Sequence, residues 1–249
     1  MEITIDKLQE LIDESNNIVF FGGAGVSTES GIKDFRSVDG LYHEKYDYPP
    51  ETILSHTFYM RKKEEFFKFY KDKLLLNGIK PNKAHYKLAE LEEAGKLKAV
   101  ITQNIDGLHQ MAGSKKVLEL HGSVLRNYCE NCGKPLHITD EFTFDNLFNG
   151  QLVPTCPDCG GPVKPDVVLY EEGLDNNILS ESVKAIAEAD MLIIGGTSLV
   201  VYPAAGLIDY YRGKKLVLIN KDETARDSVA DYCIHGKIGE ILGELKVSR

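Results

Sequence analysis

Four of the five cysteines fall into two matched knuckles, Cys129-Glu130-Asn131-Cys132 and Cys156-Pro157-Asp158-Cys159, separated by the 23 residues 133–155. A Cys-x-x-Cys turn aims two thiolates at one ion, and two such turns close a tetrahedral zinc shell of four sulfurs. That shell leaves no position for water, so Cys129, Cys132, Cys156 and Cys159 are expected to hold one structural Zn2+. Gly133 and Gly160, directly after each knuckle, suit turns that need permissive backbone angles. The alternative is a thiol redox centre, which needs only one such pair. Cys233 is left over and reads as a small buried residue near a late strand.

Three other groups of residues could do chemistry. His121, in "LELHGS", follows an apolar strand; with an ordinary pKa of about 6.5 a histidine there can accept a proton at neutral pH. Gln103, Asn104 and Asp106, in "TQNIDGLH", follow another strand and can meet the hydroxyls or amide of a polar ligand, or simply cap the next helix. The turn "FFGGAGVSTESGIKDFRS" lets backbone N–H groups approach a diphosphate. Its third fingerprint glycine is replaced by Thr28, and no acid ends the following strand at the usual distance, so the ordinary dehydrogenase mode is not expected. Asp34-Phe35-Arg36 then places an acid, an aromatic face and a guanidinium in one loop, whose bland alternative is a surface turn.

These residues need elements to position them. Ile5, Leu8, Leu11 and Ile12 mark one face of a helix, and "NIVFFGGAG" a buried strand running into glycine. Further strands are expected at 97–102, 116–120, 167–170, 190–196 and 215–220, with helices from Ala84, from Ile178 and from Pro203 to about Tyr211. Short apolar strands alternating with helices predict an α/β fold with a parallel sheet covered on both faces. Two segments interrupt the alternation: 38–81, containing the helix "RKKEEFFKFYKDKLL" with its aromatics packed inward, and the cysteine segment 124–164. The expected organisation is a nucleotide-binding domain of 1–37, 82–123 and 165–249, a helical insertion of 38–81 and a small zinc module of 124–164.

The chain has 249 residues, 43% of them hydrophobic, enough for a sizeable core. Its apolar runs are too short to cross a bilayer, and "MEITIDKLQE" lacks a signal-peptide pattern, so a soluble cytoplasmic protein is expected. A formal net charge of −9 argues against general nucleic-acid binding and suits a basic partner.

Taken in order, the glycine turn with "DFR", then "TQNIDGLH", "HG", two cysteine pairs, "KPDVV", "GTSL" and "IN" resemble the sirtuin family of NAD-dependent protein lysine deacylases, over about Gly22 to Gly239. "GAGVSTESGI" and the compact length resemble its small bacterial and archaeal members. The resemblance implies a Rossmann-like domain binding NAD, consumed as co-substrate, a small structural-zinc domain, and acetylated lysine-containing proteins or peptides held in the cleft between them. It implies that the acyl oxygen attacks the ribose carbon bearing nicotinamide, and that His121 is the base for the ribose hydroxyl that attacks the resulting alkylimidate. Asn104 is the second residue implied in catalysis. Ala24, Thr28, Phe35, Arg36, Gln103, Ile105, Asp106, Thr197, Ser198, Asn220 and Ile238 are implied in cofactor binding, and Val167 and Val168 in substrate binding.

The chain departs from the family pattern at Lys33 and Ser37, where proline and glycine are usual, at Lys164 for arginine, and at Tyr170-Glu171 for Phe-Gly. Glu171 is expected to add charge near the peptide groove. The Tyr and Arg pair of succinyl- and malonyl-preferring relatives is not evident, which favours neutral acyl groups such as acetyl. The alternatives to deacetylation are mono-ADP-ribosyl transfer from the same cofactor, a zinc-braced NAD sensor without turnover, and a thiol oxidoreductase.

Overall fold

The computed structural model describes residues 1–34, 40, 46–75 and 78–247; Phe35, Arg36 and Ser37 lie outside the described residues. Its strands are β1 (Ile18–Gly22), β2 (Leu97–Thr102), β3 (Val117–Glu119), β4 (Gly122–Cys129), β5 (Val163–Val167), β6 (Met191–Gly195), β7 (Leu216–Asn220) and β8 (Tyr232–His235). The helices are α1 (Ile5–Asp13), α2 (Pro50–Ile53), α3 (His56–Arg61), α4 (Lys63–Lys73) and α5 (Lys83–Glu93). They continue with α6 (Leu108–Met111), α7 (Phe144–Phe148), α8 (Asn176–Glu188) and α9 (Ile238–Gly243).

Every residue of β1, β6 and β7 is buried, the pattern of strands covered on both faces. They lie in a six-stranded parallel sheet of order β3-β2-β1-β6-β7-β8. Alternate side chains divide between two layers, as a strand's period of two requires. Ile18 and Phe20 pack with Leu8, Leu88 and Leu242 of α1, α5 and α9 on one face. Val19 and Phe21 pack with Ile186 of α8 and with Ala204, Ala205 and Leu207 on the other. The six strands thus follow the nucleotide-binding order, and the strand order reverses between β1 and β6, the switch point at whose C-terminal strand ends sheets of this kind form their ligand crevice.

A second, two-stranded antiparallel sheet pairs β4 with β5. The strand expected at 167–170 is corrected here: β5 ends at Val167 and belongs to this second sheet. Its buried residues are Val163, Pro165 and Val167, with Lys164 and Asp166 between them, a one-faced alternation that an unbroken apolar run such as "VVLY" obscures. The expected helix after Pro203 is a 3-10 turn, Ala204–Tyr210. The knuckles and the helical insertion share one core, in which Tyr59, Phe66, Phe67 and Tyr70 pack with Cys129, Leu136, Phe148, Cys156 and Val163. Among the described residues no helix is long and apolar enough to cross a membrane.

Candidate functional site

The crevice is built from two glycine loops that interlock. The Gly25 amide donates to the Gly196 carbonyl at 2.8 Å, and a Cβ on Gly25 would lie only 2.8 Å from the Gly196 Cα. Gly196 has a φ of 59°, and a Cβ there would meet the Val26 nitrogen at 2.3 Å, so no side chain fits this crossing. Ala24 is half-buried beside it, and exposed Thr28 closes the turn by donating its hydroxyl to the Gly25 carbonyl at 2.9 Å.

Polar groups from the end of β2 converge on the same crevice. Gln103 donates through its side-chain amide to the Thr197 hydroxyl at 3.0 Å, joining the loops after β2 and β6. Asn104 donates to the Ser27 hydroxyl at 3.1 Å, and Ser27 in turn donates to Asp106 at 2.7 Å. The other Asp106 oxygen accepts the Leu108 amide at 2.9 Å. Burial pushes the Asp106 carboxyl above its usual range, against the pull of those hydrogen bonds. Ile105 turns toward the core shared by the knuckles and the helical insertion, while its carbonyl accepts the Val124 amide at 3.0 Å.

Two members of this network carried no signal of their own in the sequence. Ser27 lies within the glycine turn. His85 lies in the first turn of α5, where its Nδ1 accepts the Asn82 amide at 3.2 Å. That leaves the proton on Nε2, 3.5 Å from the Ser27 hydroxyl, and burial lowers the His85 pKa to about 4. The Asn82 side chain also donates to the Val26 carbonyl and the Ser30 hydroxyl, at 2.8 and 3.0 Å, and so ties α5 to the glycine turn. His109 faces the core, its ring centroid 4.7 Å from that of His85.

His121 follows β3. Its Nδ1 lies 2.9 Å from the Gln103 carbonyl, which only accepts, so the proton sits on Nδ1 and Nε2 carries a lone pair. Burial lowers the imidazole's pKa, and the bond to Gln103 partly opposes this. Gly122 has a φ of 76°, and a Cβ on it would stand 1.9 Å from the Asp166 carbonyl oxygen. The chain can therefore leave His121 in close contact with β5 only through glycine. Val167 is buried, Val168 half-buried, and the Val168 amide donates to the His121 carbonyl at 3.0 Å.

At the far end, Thr197 and Asn220 bond reciprocally: the Thr197 amide donates to the Asn220 side chain, and the Asn220 amide donates to the Thr197 carbonyl, both at 3.0 Å. Ser198 is exposed next to them. Ile238 is buried with its side chain against Gly195, where a Cβ would lie 2.3 Å from Ile238 Cδ1. Phe35 and Arg36 lie outside the described residues. The glycine cradle and the ring of amides, hydroxyls and one carboxylate fit a dinucleotide.

The four knuckle cysteines bring their sulfurs within 4.8 Å of one another. Cys129 and Cys159 are 3.4 Å apart and Cys132 and Cys156 3.7 Å. A tetrahedral shell with metal–sulfur bonds of about 2.3 Å puts its sulfurs roughly 3.8 Å apart, so the residues fit one zinc ion. Amides of Cys132 and Asn131 point at the Cys129 sulfur and hold its thiol down to about 6, favouring the thiolate a metal needs. Gly133 and Gly160, at φ of 71° and 70°, occupy equivalent positions after the two knuckles. Cys233 is buried on β8, away from this cluster.

A protein-family model described as "Sir2 family" matches residues 23–203. An NAD-dependent protein deacetylase of Clostridium perfringens is 61% identical over 98% of this chain and 99% of its own. A solved structure of Sir2 with a p53 peptide and NAD+ superposes with a TM-score of 0.83 at 39% identity, covering 96% of each chain. Another, of a Sir2 variant with a deacetylated p53 peptide and 3'-O-acetyl ADP-ribose, gives 0.85 at 39% identity and the same coverage.

Proposed function

The chain belongs to the Sir2, or sirtuin, family, and on that premise we propose that His121 and Asn104 carry the reaction. The protein is an NAD-dependent protein lysine deacetylase, which transfers the acetyl group to ADP-ribose and releases nicotinamide. NAD, consumed as co-substrate, supplies when bound the ADP-ribosyl acceptor and nicotinamide as the leaving group. The observation that carries the residue assignment is the tautomer of His121, whose bare Nε2 suits a general base. Nε2 takes the proton of a ribose hydroxyl, while the Gln103 carbonyl holds Nδ1–H and steadies the charge that develops on the ring. Asn104 orients the ribose, with Ser27 and Asp106 fixing its amide.

Ala24, Thr28, Gln103, Ile105, Asp106, Thr197, Ser198, Asn220 and Ile238 hold the cofactor, together with Phe35 and Arg36; Val167 and Val168 meet the peptide. The convergence of several of these groups at the sheet's switch point supports this reading. Cys129, Cys132, Cys156 and Cys159 hold the structural zinc, which braces the small domain and takes no part in the chemistry. The substrates are acetylated lysine-containing proteins in the cytoplasm, and the acidic surface disfavours general nucleic-acid binding. The insertion comprises 38–81; because β4 pairs with β5, the zinc module, expected at 124–164, extends to 122–167 and leaves 1–37, 82–121 and 168–249 to the nucleotide domain.

The test incubates the protein with an acetyl-lysine peptide, with and without NAD, and follows peptide mass and nicotinamide together. Acetyl loss is expected only with NAD, with one nicotinamide per acetyl group. His121→Ala is expected to bind NAD and lose at least about 100-fold in deacetylation. A variant with undiminished turnover would remove His121 from the mechanism.

A further inference from the structure

The segment from Val167 to Glu172 is fastened at both ends. At one end the Val168 amide donates to the His121 carbonyl at 3.0 Å. At the other, the Tyr170 amide donates to the Leu54 carbonyl and the His56 amide to the Tyr170 carbonyl, both at 2.9 Å, which pairs the segment with the start of α3. Between them, the Leu169 amide donates to the Glu172 carboxylate at 2.9 Å, and Glu172 also meets His56 at 2.9 Å and Lys164 at 3.3 Å.

Glu171 is the odd member. Its φ is 77°, in the left-handed region that side chains disfavour and glycine enters freely. Such a conformation persists when surrounding contacts over-determine it, and it concentrates where geometry matters to function. The contacts are on hand: one Glu171 carboxylate oxygen accepts both the Thr57 amide at 2.9 Å and the Thr57 hydroxyl at 2.7 Å. Those bonds hold the carboxyl below its ordinary range, hence ionised at neutral pH. A glycine would satisfy the backbone, but only a side chain with an acceptor reaches α3.

We propose that Glu171 is a positioning residue for peptide binding: its bonds to Thr57 fix the substrate segment Val167–Tyr170 against the helical insertion. The carboxylate therefore acts as a fastening and not as a charge offered to the peptide. The proposal rests on the reading that Val167 and Val168 meet the substrate.

Glu171→Gly frees the backbone and removes the two Thr57 bonds, leaving the Tyr170 and Glu172 contacts to hold the segment. The expected result is a rise in peptide KM of about fivefold, with kcat and the KM for NAD unchanged. Glu171→Gln keeps an acceptor for both Thr57 donors and is expected to restore the peptide KM. Thr57→Val is expected to raise the KM in the wild-type background and add little in Glu171→Gly. An unchanged peptide KM in Glu171→Gly, or a fall in kcat and melting temperature with KM unmoved, overturns the proposal. Val168→Ala separates the two levels: if it too leaves the peptide KM unchanged, the substrate-segment reading fails; if it alone raises the KM, only the role of Glu171 fails.

Discussion

His121 works between two opposed influences. Burial disfavours its cation, the Gln103 carbonyl favours it, and burial is the larger. The free protein therefore keeps Nε2 neutral to a lower pH than an isolated imidazole does. The role proposed for His121, that of general base, requires it unprotonated, so kcat/KM should fall toward acid with its inflection below the ordinary value of about 6.5. A pH–rate profile of peptide deacetylation checks this, and an inflection above that value would contradict the buried tautomer. The position of His121 after a strand was legible in the sequence, as were Gln103, Asn104 and Asp106, because strand ends are where a parallel sheet offers its ligand groups. Ser27 and His85 were not. Nothing local distinguishes a serine in a glycine turn or a histidine in a helix's first turn, and only the fold brings together residues 58 apart in the chain.

The elements that hold these groups obey tighter rules than their hydrophobicity suggests. Gly122 is the hinge between the two sheets, with a left-handed φ and the Asp166 carbonyl against its open side. Arg126 reinforces the junction, bonding Glu119 of β3 at 2.5 Å and Asp166 of β5 at 2.7 Å. Gly122→Ala would add left-handed strain of roughly 1–2 kcal/mol and force the two strands apart. The expected outcome is destabilisation of at least about 2 kcal/mol in denaturant titration, together with weakened peptide binding as the His121–Val168 contact moves. Wild-type stability in this variant would mean that the hinge accommodates a side chain. β1, β2, β3, β6 and β7 were readable from apolar runs, whereas the edge strand β8, half-buried at Tyr232 and exposed at His235, was marked only as a late strand near Cys233. β4 and β5 were not, because one-faced strands with Arg126, Lys164 and Asp166 on them carry charges that break the run.

At the scale of the whole molecule, the two interruptions of the α/β pattern are physically one body. Sequence periodicity marks 38–81 and 124–164 as separate departures, since it cannot show which face of one meets the other. In the structure the aromatic face of α3 and α4 packs on Cys129, Cys156 and the residues around them. Within the first knuckle, Glu130 accepts the Tyr59 hydroxyl at 2.9 Å and pairs with Lys63. The zinc therefore closes a core larger than its own loop, and its binding energy is linked to the folding of both segments. Chelation, or Cys129→Ala, should release them together. Hydrogen–deuterium exchange is expected to accelerate in concert across 50–75 and 124–169, while β1, β2, β6 and β7 keep their protection. Exchange confined to 129–162 would show that the insertion holds its shape without the metal. Coupled release would make zinc a condition for the proposed peptide site, because α3, to which the segment Val167–Glu172 is fastened, would lose its support while the nucleotide crevice stayed formed.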